Sequence, residues 1–81
     1  MYWEKGLKIL EKHWNTDYGK IKNKWVDTHT EIIELTTGGW SKNEELIRRL
    51  SKTMFWYFYW QESKRGGYYL FKKDLTLEEY I

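Results

Sequence analysis

Trp3, Leu7, Leu10 and Trp14 recur at spacings of four, three and four residues, which lays them along one face of a helix. Gly6 falls inside that stretch and weakens a helix by up to ~1 kcal/mol relative to alanine. Asn15 to Gly19 reads as a break. From Lys20 to Val26 the period becomes two, with Ile21, Asn23 and Trp25 on one side and Lys20, Lys22 and Lys24 on the other. Asp27-Thr28-His29-Thr30 predicts a turn. Glu31 to Thr37 is rich in β-branched residues and predicts a returning strand, with Ile33 and Leu35 sharing a face.

Gly38-Gly39 ends that strand. Ser41 followed by Glu44 is a capping-box pattern, and Leu46, Ile47 and Leu50 then form a helical stripe over about Lys42 to Lys52. Glu44 to Arg48 and Glu45 to Arg49 are i,i+4 pairs in the favoured orientation. Thr53 to Gln61 predicts a third strand, with Met54, Trp56, Phe58 and Trp60 on one face and Phe55, Tyr57 and Tyr59 on the other. Lys64-Arg65-Gly66-Gly67 supplies a turn, and Tyr68 to Lys72 is the strand that follows it. Thr76 with Glu79 could cap a terminal helix; Leu75, Leu77 and Ile81 could equally pack as an extended tail.

The expected fold is therefore α+β, a single domain over 1–81 in the order α-β-β-α-β-β. The simplest architecture is a four-stranded, mainly antiparallel sheet with helices packed on it. Because both faces of the third strand are aromatic, the central helix is expected to cover one and the N-terminal helix the other.

Composition fits a small domain with a dense core. A chain of 81 residues buries only about 60–65% of its unfolded surface, and six Trp, seven Tyr and three Phe supply the bulk it needs. With no cysteine, disulfides, thiolate zinc sites and thiol nucleophiles are excluded. No basic segment followed by an apolar run opens the chain, and Met54 to Trp60 is far short of the roughly 20 residues that span a bilayer. The expectation is a soluble, cytoplasmic protein with no membrane partner. A net charge of +2 is too balanced to announce a nucleic-acid binder, although Lys20, Lys22 and Lys24, Lys64-Arg65 and Lys72-Lys73 are local basic points.

Topology suggests one candidate site. If the second strand ends at the top of the sheet, the central helix descends and the third strand rises, so the last turn returns to the top. Gly38, Gly39, Trp40, Ser41, Lys42 and Asn43 should then lie near Ser63, Lys64, Arg65, Gly66, Gly67 and Tyr68. That rim would join a helix N-terminus, glycine backbone and cations, which suits a phosphate or carboxylate. The plainer reading is that the glycines only turn the chain, Ser41 only caps and Arg65 is solvated. The spacing is not that of a Walker loop.

The aromatic strand has two readings as well. Exposed rings can stack on bases, or the rings form the core; Tyr57, Tyr59, Tyr68 and Tyr69 are those expected to show an edge, as at a protein interface. A wide bare aromatic face would also favour a homodimer. Catalysis has little support. His13 and His29 lack a carboxylate or serine partner at a recognisable spacing, no histidine cluster has metal-ligand spacing, and nothing makes an acid/base pair of Glu62 and Asp74. No cofactor is expected.

The segment Thr37-Gly38-Gly39-Trp40-Ser41-x-Asn43-Glu44, followed by Phe55-Trp56, Trp60, Ser63, Arg65-Gly66-Gly67 and Tyr68-Tyr69, resembles a T-G-G-W-S-x-N-E pattern of small bacteriophage proteins. Trp25 upstream fits too, so the resemblance covers about Trp25 to Phe71. One departure is Tyr68 or Tyr69 where those proteins have a histidine, which argues against a histidine-dependent reaction there. The resemblance implies a phage or prophage origin and location in a host bacterial cell. It assigns no activity. By analogy with small phage proteins, including anti-CRISPR proteins, the expected function is non-enzymatic binding that blocks a host defence machine, its partner a host protein or protein–nucleic-acid complex. The alternative is nucleic-acid or nucleotide binding through the glycine-rich rim.

Overall fold

A computed structural model describes residues 2–75 of the chain. Helix α1 (Tyr2–His13) leads into a hairpin of β1 (Lys20–Trp25) and β2 (Thr30–Thr36). Helices α2 (Ser41–Leu50) and α3 (Met54–Tyr59) follow, and a second hairpin, β3 (Trp60–Lys64) and β4 (Tyr68–Asp74), completes the described chain. The strands form one antiparallel sheet in the order β1-β2-β4-β3. The α+β class and the four-stranded antiparallel sheet are as the sequence predicts. The proposed Thr76–Glu79 cap lies outside the described residues.

The stripe on α1 behaves as its spacing requires: Trp3 and Leu10 are buried, and Trp14, just past the helix, donates its backbone N–H to Leu10 O at 2.8 Å. Gly6 has a use that the spacing did not disclose. A Cβ on Gly6 would stand 2.3 Å from Cδ1 of Phe55, so the missing side chain lets α1 and α3 meet ring against backbone. In β2 burial alternates strictly, Ile33 and Leu35 inward, Ile32 and Glu34 half-buried on the opposite side.

The prediction for Thr53 to Gln61 is corrected. Met54 to Tyr59 is helical, and the third strand starts only at Trp60. Thr53 caps α3: its Oγ1 accepts the Trp56 N–H at 3.4 Å, and its carbonyl accepts Tyr57 N–H at 3.2 Å. Side chains therefore sort by helical faces. Phe55 is buried with Trp56 and Tyr59 packed beside it, whereas Met54, Tyr57 and Phe58, at i, i+3 and i+4, point outward.

The expected two-sided cover is corrected too. Trp3 and Leu10 of α1, Ile47 and Leu50 of α2 and Phe55 of α3 all belong to one core cluster with Ile33, Leu35 and Phe71 of the sheet. The three helices lie on the same face. At the β1–β2 turn end of that face, Lys73 and Glu31 pair across the β4–β2 ladder at 3.4 Å with about a tenth of each side chain exposed. Asn23 Nδ2 donates to the same carboxylate at 2.8 Å, and the ammonium stands 5.6 Å from the Trp3 ring centroid. These contacts compensate a charge pair whose desolvation is costly.

Candidate functional site

Antiparallel pairing of the two central strands puts Thr36 opposite Tyr68, so the loop after β2 and the β3–β4 turn share one end of the sheet. They touch: Thr37 donates its backbone N–H to Gly67 O at 3.0 Å, and a Cβ on Gly67 would stand 2.1 Å from Thr37 Oγ1. The rim that strand order predicts thus exists as a place. Several of its residues are spent on holding it together.

Asn43 is 1% exposed. Its Oδ1 accepts Asn15 N–H at 2.9 Å, and its Nδ2 donates to Asn15 O at 3.1 Å and Thr37 O at 3.2 Å. One amide thus ties the loop after α1 to the loop after β2. Gly38, at φ +65°, lies against the Tyr18 backbone, and Trp40 stacks on Tyr18 with ring centroids 4.3 Å apart and planes 4° from parallel. Ser41 is exposed and opens α2, but Trp40 occupies the cap position and no side chain caps the helix, contrary to the capping-box expectation.

Truncating Asn43 to alanine strands the Asn15 N–H and leaves the Asn15 and Thr37 carbonyls with one donor each, from Gly19 and Trp40, so the expected loss is about 2–3 kcal/mol of unfolding free energy in a urea titration. Asn43→Asp should be worse at pH 7 than at pH 4. The introduced carboxylate would face two carbonyl oxygens, which raises its folded-state pKa above the unfolded value near ~3.9; stability then returns as pH falls and the acid can donate again.

The remaining rim residues face solvent. Gly39, Lys42, Ser63, Lys64, Arg65 and Gly66 are exposed, with nothing within 4 Å of a Cβ built on Gly39 or Gly66. Ser63 Oγ accepts Trp60 Nε1–H at 2.8 Å. Lys64 stands 5.2 Å from the Tyr68 ring centroid and 3.9 Å from Glu62. Tyr68 donates its hydroxyl to Glu34 Oε2 at 2.8 Å, and this bond, with a smaller contribution from burial, holds its ionisation above the usual tyrosine range.

A second surface lies on α3, where the sequence predicts an edge only for Tyr57 and Tyr59. On α3 the outward residues are Met54, Tyr57 and Phe58, where a surface helix ordinarily carries polar side chains. Tyr57 is 79% exposed. Phe58 stacks on Tyr2 of α1 at 5.6 Å and meets Tyr57 edge-on at 5.5 Å, so these rings are continuous across two helices. The signal that could have revealed it is Thr53, a helix-capping residue directly before the apolar run.

His13 ends α1 and His29 lies in the β1–β2 turn, both exposed. Among the described residues no three His, Asp or Glu side chains are grouped as metal ligands would be, and no helix is long and apolar enough to cross a membrane. No family model matches the chain, and neither a curated protein nor a solved structure is significantly similar to it.

Proposed function

We propose that this chain is a non-enzymatic binding protein that docks on another protein through the aromatic surface of α1 and α3. The observation that carries this reading is the outward face of α3: Met54, Tyr57 and Phe58, continued by Tyr2, are each between 44% and 79% exposed in a chain whose mean hydropathy is −0.85. A strongly polar chain that leaves three aromatic rings and a methionine together in water resembles an interface more than a plain surface. Tyr, Phe and Met are also the residue types enriched where proteins meet, and rigid rings lose little entropy on docking.

Bacteriophage origin and a partner in a bacterial host's defence machinery, as for anti-CRISPR proteins, rest on the motif resemblance. In the sequence His13 and His29 have no serine or carboxylate partner at a recognisable spacing, which argues for action by occupancy rather than by turnover.

The test is affinity capture from bacterial lysate with the tagged chain, alongside the Tyr57→Ser/Phe58→Ser variant. Both residues are exposed and outside the core cluster, so the variant should stay folded, losing only the ring contacts of Phe58 with Tyr2 and Tyr59, and a thermal melt checks this. The expected result is a stoichiometric protein partner whose affinity drops about 30-fold or more in the variant, the loss of two central ring contacts. Equal capture by both proteins, or no stoichiometric partner at low salt, would overturn the reading.

A further inference from the structure

The side of the sheet opposite the helices carries a pattern that the aromatic surface does not use. Strand alternation and register settle its residues. Across one row lie Lys20, Thr36, Tyr68 and Lys64; across the next, Lys22, Glu34, Leu70 and Glu62; across the third, Lys24, Ile32 and Lys72. All five lysines are exposed, while Ile32, Tyr68 and Leu70 are half-buried between them. From this juxtaposition we propose that the uncovered sheet face binds a single strand of nucleic acid, its phosphates along β1 and its bases over the centre of the sheet.

Charge complementarity favours that occupant. Glu34 is engaged by Lys24 at 3.7 Å and by the Tyr68 hydroxyl, and Glu62 by Lys64 at 3.9 Å. Lys20, Lys22 and Lys72 have no acidic partner among the described residues, and exposed Arg65 adjoins the same face at the β3–β4 turn. The acids of the middle row are therefore already satisfied, and the surplus is positive.

Geometry narrows the ligand further. Lys20, Lys22 and Lys24 project from one side of one strand at intervals of about 7 Å, close to the phosphate repeat of an extended single strand. Beside them Ile32, Leu70 and the Tyr68 ring give apolar surface at the centre of the sheet, interleaved with Thr36, Glu34 and Lys72, which suits unpaired bases with their apolar faces and charged backbone. An acidic protein would need no such surface, and a duplex would hide its bases from it. The proposal concerns the face opposite α3 and does not depend on the aromatic surface.

The experiment is fluorescence anisotropy of a labelled single-stranded oligonucleotide of about 15 nucleotides titrated with the full chain from ~50 to ~200 mM salt. Binding should weaken linearly in logarithmic form. The triple variant Lys20→Ala/Lys22→Ala/Lys72→Ala should bind at least tenfold more weakly and show a salt slope reduced by about 2, three phosphate contacts fewer at about 0.7 each. A matched variant, Lys5→Ala/Lys8→Ala/Lys52→Ala, removes the same charge from α1 and the α2–α3 connection and should stay within about threefold of the parent. Thermal melts confirm that both variants fold. No anisotropy change at ~50 mM salt would overturn the proposal. So would equal losses in the two variants, or competition by duplex DNA or anionic vesicles as strong as by the unlabelled single strand.

Discussion

Gly38→Ala should destabilise the domain by about 3 kcal/mol or more, most of it from a collision between two backbones. The φ of +65° alone costs an L-residue roughly 1–2 kcal/mol. The larger part is steric: a Cβ there would lie 1.7 Å from Tyr18 O and 2.4 Å from its carbonyl carbon. No rotamer relieves a backbone contact, so the loop after α1 and the loop after β2 would have to part. Parting them pulls on the three hydrogen bonds of Asn43, which bridge the same two segments. Gly39→Ala is the matched control. Gly39 also has positive φ, +73°, but nothing lies within 4 Å of its Cβ, so only the ~1–2 kcal/mol conformational cost should appear. Urea denaturation of the two variants separates the terms, and equal losses would mean that the close approach to Tyr18 contributes nothing.

Trp3→Ala should cost about 3–5 kcal/mol, the usual penalty for removing a large buried ring. Trp3 is 1% exposed; its ring meets Tyr59 edge-on at 5.1 Å, Phe55 at 5.8 Å and the Lys73 ammonium at 5.6 Å. It therefore joins α1, α3 and β4. A domain of 81 residues at about 0.05–0.15 kcal/mol per residue has roughly 4–12 kcal/mol in all, so this one truncation could leave the chain partly unfolded at 37 °C. Trp3→Phe should lose less. A ring remains against Phe55 and Tyr59, and the indole N–H, which is buried with no hydrogen-bond partner among the described residues, disappears with the substitution. Chemical denaturation followed by far-UV circular dichroism gives the ranking; a loss under ~1 kcal/mol for Trp3→Ala would mean that the ring is not part of the cooperative core.

Where polar and apolar positions alternate with contrast, the fold was legible. The lysines of β1 marked a strand with one solvated side, and the Leu46, Ile47 and Leu50 stripe marked α2 to within two residues of its ends. Met54 to Tyr59 failed for a physical reason: with no polar residue in the run, a period of two and a period of 3.6 describe it equally well. That one ambiguity hid that Tyr57 and Phe58 face outward together, because a strand would have divided them. Strand order was enough to bring Gly38 near Gly67. It could not tell that Asn43 would be buried or that Gly38 would lie against Tyr18, since both depend on approaches of a few ångströms between segments distant in sequence. The open sheet face had the same cause. Its lysines were plain in the sequence, but which side the helices would take was not.

The sheet order has a consequence for how the chain reaches this state. β4 is the last described strand, yet it lies in the interior of the sheet between β2 and β3, pairing Thr30 with Asp74 across 44 positions. The β1–β2 hairpin can close early from local contacts, but until Tyr68–Asp74 has emerged during synthesis, β2 keeps an open edge and Glu31 waits without its lysine. Closure of a long loop precedes the reward of pairing, which slows folding relative to a helical bundle of equal size. A nascent chain paused between Thr36 and Tyr68 therefore presents a sticky half-sheet, and completion of the second hairpin is what seals it.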